Sequence, residues 1–228
     1  FQRLAPSFTV SLQPWQEQLL FLRLMYKSTF RMPTFNDLYY YRLGNRSLRP
    51  EKANEYNMGI TWSRSFSSFL NYLSVTVDGY YNDVTDKIVA FPTTYAWKMA
   101  NYGKVHVTGM DATLAAAASL GKNTVLVVSG GYTWQKAIDL TDATSKSYKD
   151  QLPYTPKHSG NVSAVLEMPW VNVGYSIVGV SERYSMSQNI PENRIDGYME
   201  HTVSLSRNFS FRHCKLRLQA EIINLTDT

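Results

Sequence analysis

Between Arg31 and Lys52 the chain gathers four arginines, Arg31, Arg42, Arg46 and Arg49, and three consecutive tyrosines, Tyr39, Tyr40 and Tyr41. Pro33 and Pro50 stand near the two ends of this stretch, each without a backbone N–H and with φ fixed, so a strand does not run straight through it. Guanidinium groups interleaved with phenols suit the recognition of a planar or chelate ligand: tyrosine offers rigid amphipathic contact area, and arginine adds charge and stacking. A second polar and aromatic stretch, 91–100, adds Tyr95, Trp97 and Lys98. The candidate ligand-contact set is therefore Arg31, Tyr39, Tyr40, Tyr41, Arg42, Arg46, Tyr95, Trp97 and Lys98. Long loops within compact folds are usually functional, which makes the first stretch the leading suspect.

Other chemistry is thinly represented. The sequence has no glycine-rich phosphate loop, no G-x-S-x-G elbow and no H-E-x-x-H. His106, His158, His201 and His213 are scattered without ligand spacing, so no metal site is expected. Asp83 and Asp86 in "YNDVTDKIV" could pair around a cation or act as acid and base, but hydrated residues near a strand end explain them better. The single Cys214 excludes an intrachain disulfide and any multi-cysteine metal centre. No catalytic role and no cofactor is expected.

The elements that carry these residues read as strands: β-branched and aromatic side chains recur at period two between Gly, Pro, Asn, Asp and Ser. Ten strands are expected at 7–13, 17–30, 53–64, 69–90, 101–118, 123–136, 158–168, 171–184, 197–209 and 213–225. "TLAAAASL" (113–120) is rich in a helix former but lacks helical length and caps, so it stays in a strand. The connections alternate. Short ones lie at 14–15, 64–68, 121–122, 169–170 and 210–212, and long ones at 31–52, 91–100, 137–157 and 185–196. Short turns on one side and long loops on the other are the mark of an outer-membrane barrel and are foreign to a Greek-key sandwich. On this reading the first strand descends from outside the cell.

Facing is legible in the last strand, where Leu216, Leu218, Ala220 and Ile222 alternate with Lys215, Arg217, Gln219 and Glu221. One face is apolar, and the other carries charge of both signs that a hydrated lumen would accommodate. Trp15, Trp62, Trp134, Trp170, Tyr184 and Phe209 lie near strand ends, as interfacial aromatic girdles do. With 18% charged residues and a mean hydropathy of −0.29, the 228-residue chain has no run of about twenty apolar residues such as a membrane helix needs. Lipid-crossing strands escape that test. The net charge of +5 is spread along the chain without a basic run, and nucleic acid is not an expected partner.

"FRMPTFNDLYY" followed by "GNRSLRPEKANEYNMGITW" resembles a segment of the TonB-dependent outer-membrane receptor family that reads roughly F-R-x-P-x-x-x-E-L-Y, then G-N-P-x-L-K-P-E, then an alternating strand. Phe30, Arg31, Pro33, Leu38, Tyr39, Gly44, Asn45, Leu48, Pro50 and Glu51 carry the likeness, with Asp37 in place of the glutamate and Arg46 in place of a proline. The closing "EIINLTDT" is similar to the family's penultimate barrel strand.

This resemblance implies an all-β, antiparallel, up-and-down transmembrane β-barrel portion, ten strands of a roughly 22-stranded barrel. Residues 1–228 would then be the C-terminal part of the barrel, without the plug domain and the final strand, and unable to transport alone. It implies a receptor in the bacterial outer membrane that imports a large scarce nutrient, energised by the TonB complex and surrounded by outer-membrane lipid. An iron-siderophore or similar metal chelate is the first expectation, cobalamin or haem the next. The segment between the two motifs lacks the histidine that some haem receptors place there. A β-rich surface adhesion or structural module without transport is the alternative.

Overall fold

The computed structural model describes residues 4–15, 19–67, 69–92, 95–121, 123–211 and 214–226. His213 and parts of the turns expected at 64–68, 121–122 and 210–212 lie outside the described residues. Ten strands form one antiparallel sheet: β1 (Ser7–Leu12), β2 (Leu19–Arg31), β3 (Glu51–Ser65), β4 (Leu70–Pro92), β5 (Trp97–Gly121), β6 (Thr124–Asp139), β7 (His158–Glu167), β8 (Asn172–Val180), β11 (Tyr198–Ser210) and β12 (Lys215–Ile222). Between β8 and β11 the chain inserts a separate two-stranded ribbon, β9 (Arg183–Tyr184) with β10 (Arg194–Ile195). The ten strands pair in chain order, so the sheet is up-and-down with no crossover between two layers. The Ala-rich stretch pairs on both sides, Ala115 facing Ser74 of β4 and Ser129 of β6.

Register divides the sheet into two chemically distinct faces. From β12 the apolar set Leu216, Leu218 and Ile222 aligns through Phe209, Arg207 and Val203 of β11, and the same face continues through Tyr175 and Val173, Val162 and Leu166, and Tyr132 and Trp134. It ends in β2 and β1 with Leu22, Leu24, Leu12 and Val10. The opposite face is polar: Thr61 and Thr76 share a hydrogen bond of 3.0 Å, Ser63 and Ser74 one of 2.7 Å, Arg23 meets Asp78 at 2.8 Å, and Thr133 donates to Asp111 at 2.7 Å. This is the apolar-out, polar-in arrangement of a transmembrane barrel wall. Described strands β1 and β12 form the two edges of the sheet.

Three expectations need correction. The connection placed at 91–100 is not a long loop, because β4 and β5 extend to Pro92 and Trp97. At roughly 3.3 Å per residue, the 23 residues of β4 exceed what a tilted membrane crossing requires, so this hairpin projects beyond the apolar band. The loop after β2 contains the one-turn helix α1 (Phe35–Tyr39), closed at its start by a capping box between Thr34 and Asp37. The strand expected at 171–184 stops at Val180. Tyr184 consequently belongs to the ribbon and not to an aromatic girdle.

Among the described residues buried side chains are few, and apart from Ala118 and Ser206 near the short turns they lie at the long-loop end of the sheet. Val84, Val105, Ala137 and Leu152 form one cluster; Leu48, Ile88 and Met99 form another, with Leu38 and Leu43 against it. Both clusters join a long loop to the upper parts of β4, β5 and β6, so packing is concentrated where the loops fold back and not in the wall.

Candidate ligand-binding site

The loop 32–50 is held against β5 by its own polar groups. Met99 N–H donates to the Leu43 carbonyl at 2.9 Å, and Asn45 Nδ2 donates to the Met99 carbonyl at 3.0 Å. Asn101 Oδ1 accepts from Arg49 N–H at 2.8 Å, while its Nδ2 donates to the Arg49 and Asp86 carbonyls at 3.0 and 2.7 Å. Asp86 adopts a left-handed φ of 54° inside β4, a conformation costly for a residue with a Cβ. Its carbonyl is taken by Asn101 and its carboxylate by Arg49 Nη2 at 2.6 Å. Asp86 is thus a loop anchor, and Asp83 faces the apolar side near His106, so the two carboxylates do not form a pair.

Within this docked loop the aromatic and basic residues are arranged in couples. The Arg46 guanidinium lies 5.0 Å from the Tyr39 ring centre and that of Arg42 lies 5.1 Å from the Tyr41 ring, distances at which cation–π attraction operates. Phe35 packs on Tyr39 at 4.9 Å. Tyr40 and Tyr41 remain largely in solvent, at 60% and 78% exposure. These rings and cations form an exposed cation–aromatic surface at the long-loop end of the sheet. Arg31 is different: it approaches Asp37 at 3.8 Å and Glu51 at 3.6 Å and reaches the Ile88 carbonyl, tying the start of α1 to the strands below. Its contacts are those of a positioning residue.

The hairpin tip contributes the remaining members. Tyr95 is almost fully exposed, Lys98 is exposed, and Trp97 stacks on Tyr154 of the loop 140–157 with ring centres 5.6 Å apart. Leu43 and Asn45 contact Met99, the residue after Lys98, so the two predicted groups lie side by side.

Tyr154 is a member that sequence reasoning missed. It sits in a connection with no alternation, more than fifty positions from its partner, and only the folding back of 140–157 brings the rings together. That loop is internally braced. Thr144 donates its N–H and hydroxyl to Asp142 at 2.8 and 2.7 Å, and these bonds hold the carboxyl below its ordinary range. Its far side reaches the next loop, where Asn189 N–H donates to Asp150 at 3.0 Å and Tyr154 N–H to the Tyr184 carbonyl at 2.8 Å. Beneath it, on the polar face, a cavity of about 290 Å³ is lined by Glu51, Glu55, Asn82, Lys87, Leu152 and Thr155. The Asn82 Oδ1 is buried there without a partner among the described residues.

The architecture therefore combines a two-faced barrel wall, long loops at one end, and an exposed cation–aromatic surface above a polar interior. A family model, TonB dependent receptor-like, beta-barrel, matches residues 1–225. The chain belongs to that family. Two vitamin B12 transporters named BtuB are similar: that of Photobacterium profundum is 25% identical over 206 residues, covering 87% of this chain and 30% of the relative. That of Vibrio vulnificus is 32% identical over 84 residues, covering 36% of this chain and 13% of the relative. Among solved structures, the ferric citrate transporter FecA in the unliganded form superposes with a TM-score of 0.72 at 16% identity, over 98% of this chain and 33% of that one. The chain thus spans about a third or less of the proteins it matches. Members of this receptor family are transporters and not enzymes, and the receptor barrel lies in the outer membrane of Gram-negative bacteria.

Proposed function

We propose that this receptor barrel supplies ten strands of a roughly 22-stranded barrel that imports a large, metal-centred nutrient, driven by the TonB complex. The observation that carries the reading is the pair of cation–aromatic couples, Arg46 with Tyr39 and Arg42 with Tyr41, set on a loop fastened to β5 by Asn45 and Asn101. An anionic ferric chelate fits this surface best. Its charge meets Arg42, Arg46 and Lys98, its planar donor groups meet Tyr39, Tyr40, Tyr41, Tyr95 and Trp97, and Arg31 holds the base of the loop. Asp37, the one carboxylate between Arg31 and Pro50, is engaged by the α1 cap and leaves that charge unopposed. Cobalamin is the second reading, favoured by the sequence similarity to two vitamin B12 transporters.

Binding of ferric enterobactin, ferric citrate and cyanocobalamin to the protein isolated from outer membranes, followed by uptake in cells with and without TonB, tests this. TonB-dependent accumulation of a ferric chelate, reduced at least tenfold by Arg42→Ala with Arg46→Ala, is expected. Accumulation of cyanocobalamin alone would favour the second reading, and accumulation of none would refute the transport role.

A further inference from the structure

Three of the four histidines, scattered in sequence, occupy equivalent places on the outward, apolar face. Tyr81 of β4 approaches His106 of β5, Tyr132 of β6 approaches His158 of β7, and Tyr175 of β8 approaches His201 of β11, each tyrosine hydroxyl within hydrogen-bond distance of the imidazole Nδ1 at 3.3, 2.7 and 2.7 Å. Each pair links the two strands of one outward hairpin across a diagonal, the histidine standing two residues nearer the long-loop end than the position directly opposite the tyrosine. In the first hairpin Tyr26 meets Asn54 in the same relation. When the hydroxyl donates to Nδ1, the imidazole proton is on Nε2, pointing away from the pair.

Between the second and third pairs the wall is hollow. Tyr132, Gly160, Gly179 and Met199 are successive register partners across four strands, so two adjacent strands present glycine where their neighbours present large side chains. The next row toward the turns is Gly130, Val162, Ile177 and His201. The result is a shallow furrow of about 840 Å³ over Gly160 and Gly179, bounded by Tyr132, His158, Ile177 and His201. The charge pattern of this region is one-sided. Apart from tyrosines, the ionisable groups on the outward face of β6, β7, β8, β11 and β12 are Lys136, His158, His201 and Arg207, and no carboxylate is among them.

We infer that this furrow seats one lipid of the surrounding leaflet whose headgroup exposes an anionic phosphate, the acyl chain lying over Gly160 and Gly179 and the phosphate, at the long-loop end, accepting from Nε2 of His158 and meeting Lys136, one strand away and two residues nearer that end. An apolar trough two strands wide accepts a hydrocarbon chain, and donors with no competing carboxylate favour phosphate over a zwitterionic headgroup. Tyr132 orients the His158 imidazole. This surface is separate from the nutrient-binding loops and uses none of their residues.

The test uses the protein isolated from outer membranes and placed in phosphatidylcholine vesicles, with spin-labelled phosphatidic acid as probe and spin-labelled phosphatidylcholine as reference. Preferential immobilisation of phosphatidic acid, by roughly fivefold for the one cation, Lys136, that meets the phosphate, is expected. His158→Gln with Lys136→Gln should bring the preference close to one. Gly179→Leu, whose added carbon would meet only Met199 Cγ at an ordinary 3.7 Å, should fill the furrow and reduce immobilisation of both lipids in a barrel that stays folded by heat-modifiable mobility. No preference in the unaltered protein, an unchanged preference in the double variant, or unchanged immobilisation in Gly179→Leu would each overturn the inference. Displacement of phosphatidic acid by inorganic phosphate alone would also overturn it, because the acyl chain would then contribute nothing.

Discussion

Trp97 at the start of β5 stacks on Tyr154 of the loop 140–157, ring centres 5.6 Å apart and planes 29° from parallel. The contact joins the tip of the β4–β5 hairpin to a loop that in turn holds the loop after β8 through Asp150 and Asn189. One aromatic pair of this kind contributes about 0.5–1.5 kcal/mol beyond its buried area. Trp97→Ala should therefore leave the barrel intact but loosen 140–157. Faster hydrogen exchange at Tyr154 N–H, with unchanged exchange in β6 and β7, is the expected readout.

Asn101 makes three hydrogen bonds that bind the loop 32–50 to β5 and cover the carbonyl of the left-handed Asp86. Asn101→Leu removes all three and leaves the partly buried Asp86 carbonyl unsatisfied, at a cost of about 1–3 kcal/mol. Limited proteolysis should find new cleavage between Pro33 and Pro50. Ligand affinity should fall together with protection, since the cation–aromatic couples ride on this loop. Unchanged cleavage would show that the apolar cluster of Leu48, Ile88 and Met99 suffices to hold it.

Arg46→Lys keeps the charge and loses the flat guanidinium that lies over Tyr39. A ligand recognised by charge alone would bind almost as before. If planar stacking matters, affinity should fall by roughly threefold to tenfold, in line with a cation–π contribution of about 0.5–1 kcal/mol at an exposed site plus the missing fork geometry. Calorimetric titration with the ferric chelate distinguishes the two.

Gly109 lies beneath the ring of Tyr80 on the polar face, and a Cβ there would overlap that ring and approach the Trp134 carbonyl at 2.7 Å. The backbone carbonyl cannot swing aside as a side chain can. Gly109→Val should accordingly disturb the β5–β6 ladder, lower the temperature at which the barrel unfolds in heat-modifiability gels, and reduce the amount reaching the outer membrane. Gly179→Val, at an open position, should do neither.

The strand order, the outward and inward faces, and the long-loop end of the barrel were legible in the sequence because they depend on period two and on turn residues, which are local. The alternation of Leu216 and Leu218 with Lys215 and Arg217 states its face without reference to any neighbour. The Phe30, Arg31, Pro33 and Asn45 pattern likewise marked the family. What the sequence did not contain is contact across register. Tyr132 and His158 are 26 positions apart, Trp97 and Tyr154 more than fifty, and nothing in either segment announces the other. The length of the β4–β5 hairpin was likewise hidden, since exposed strand ends carry the same polar residues as loops and extend only because the two strands pair with each other. Arg31 shows the same limit in a single residue. Its type and place suggested ligand contact, and the fold turned its guanidinium toward Asp37 and Glu51, because a charge at the foot of a helix finds carboxylates that only the folded loop brings near.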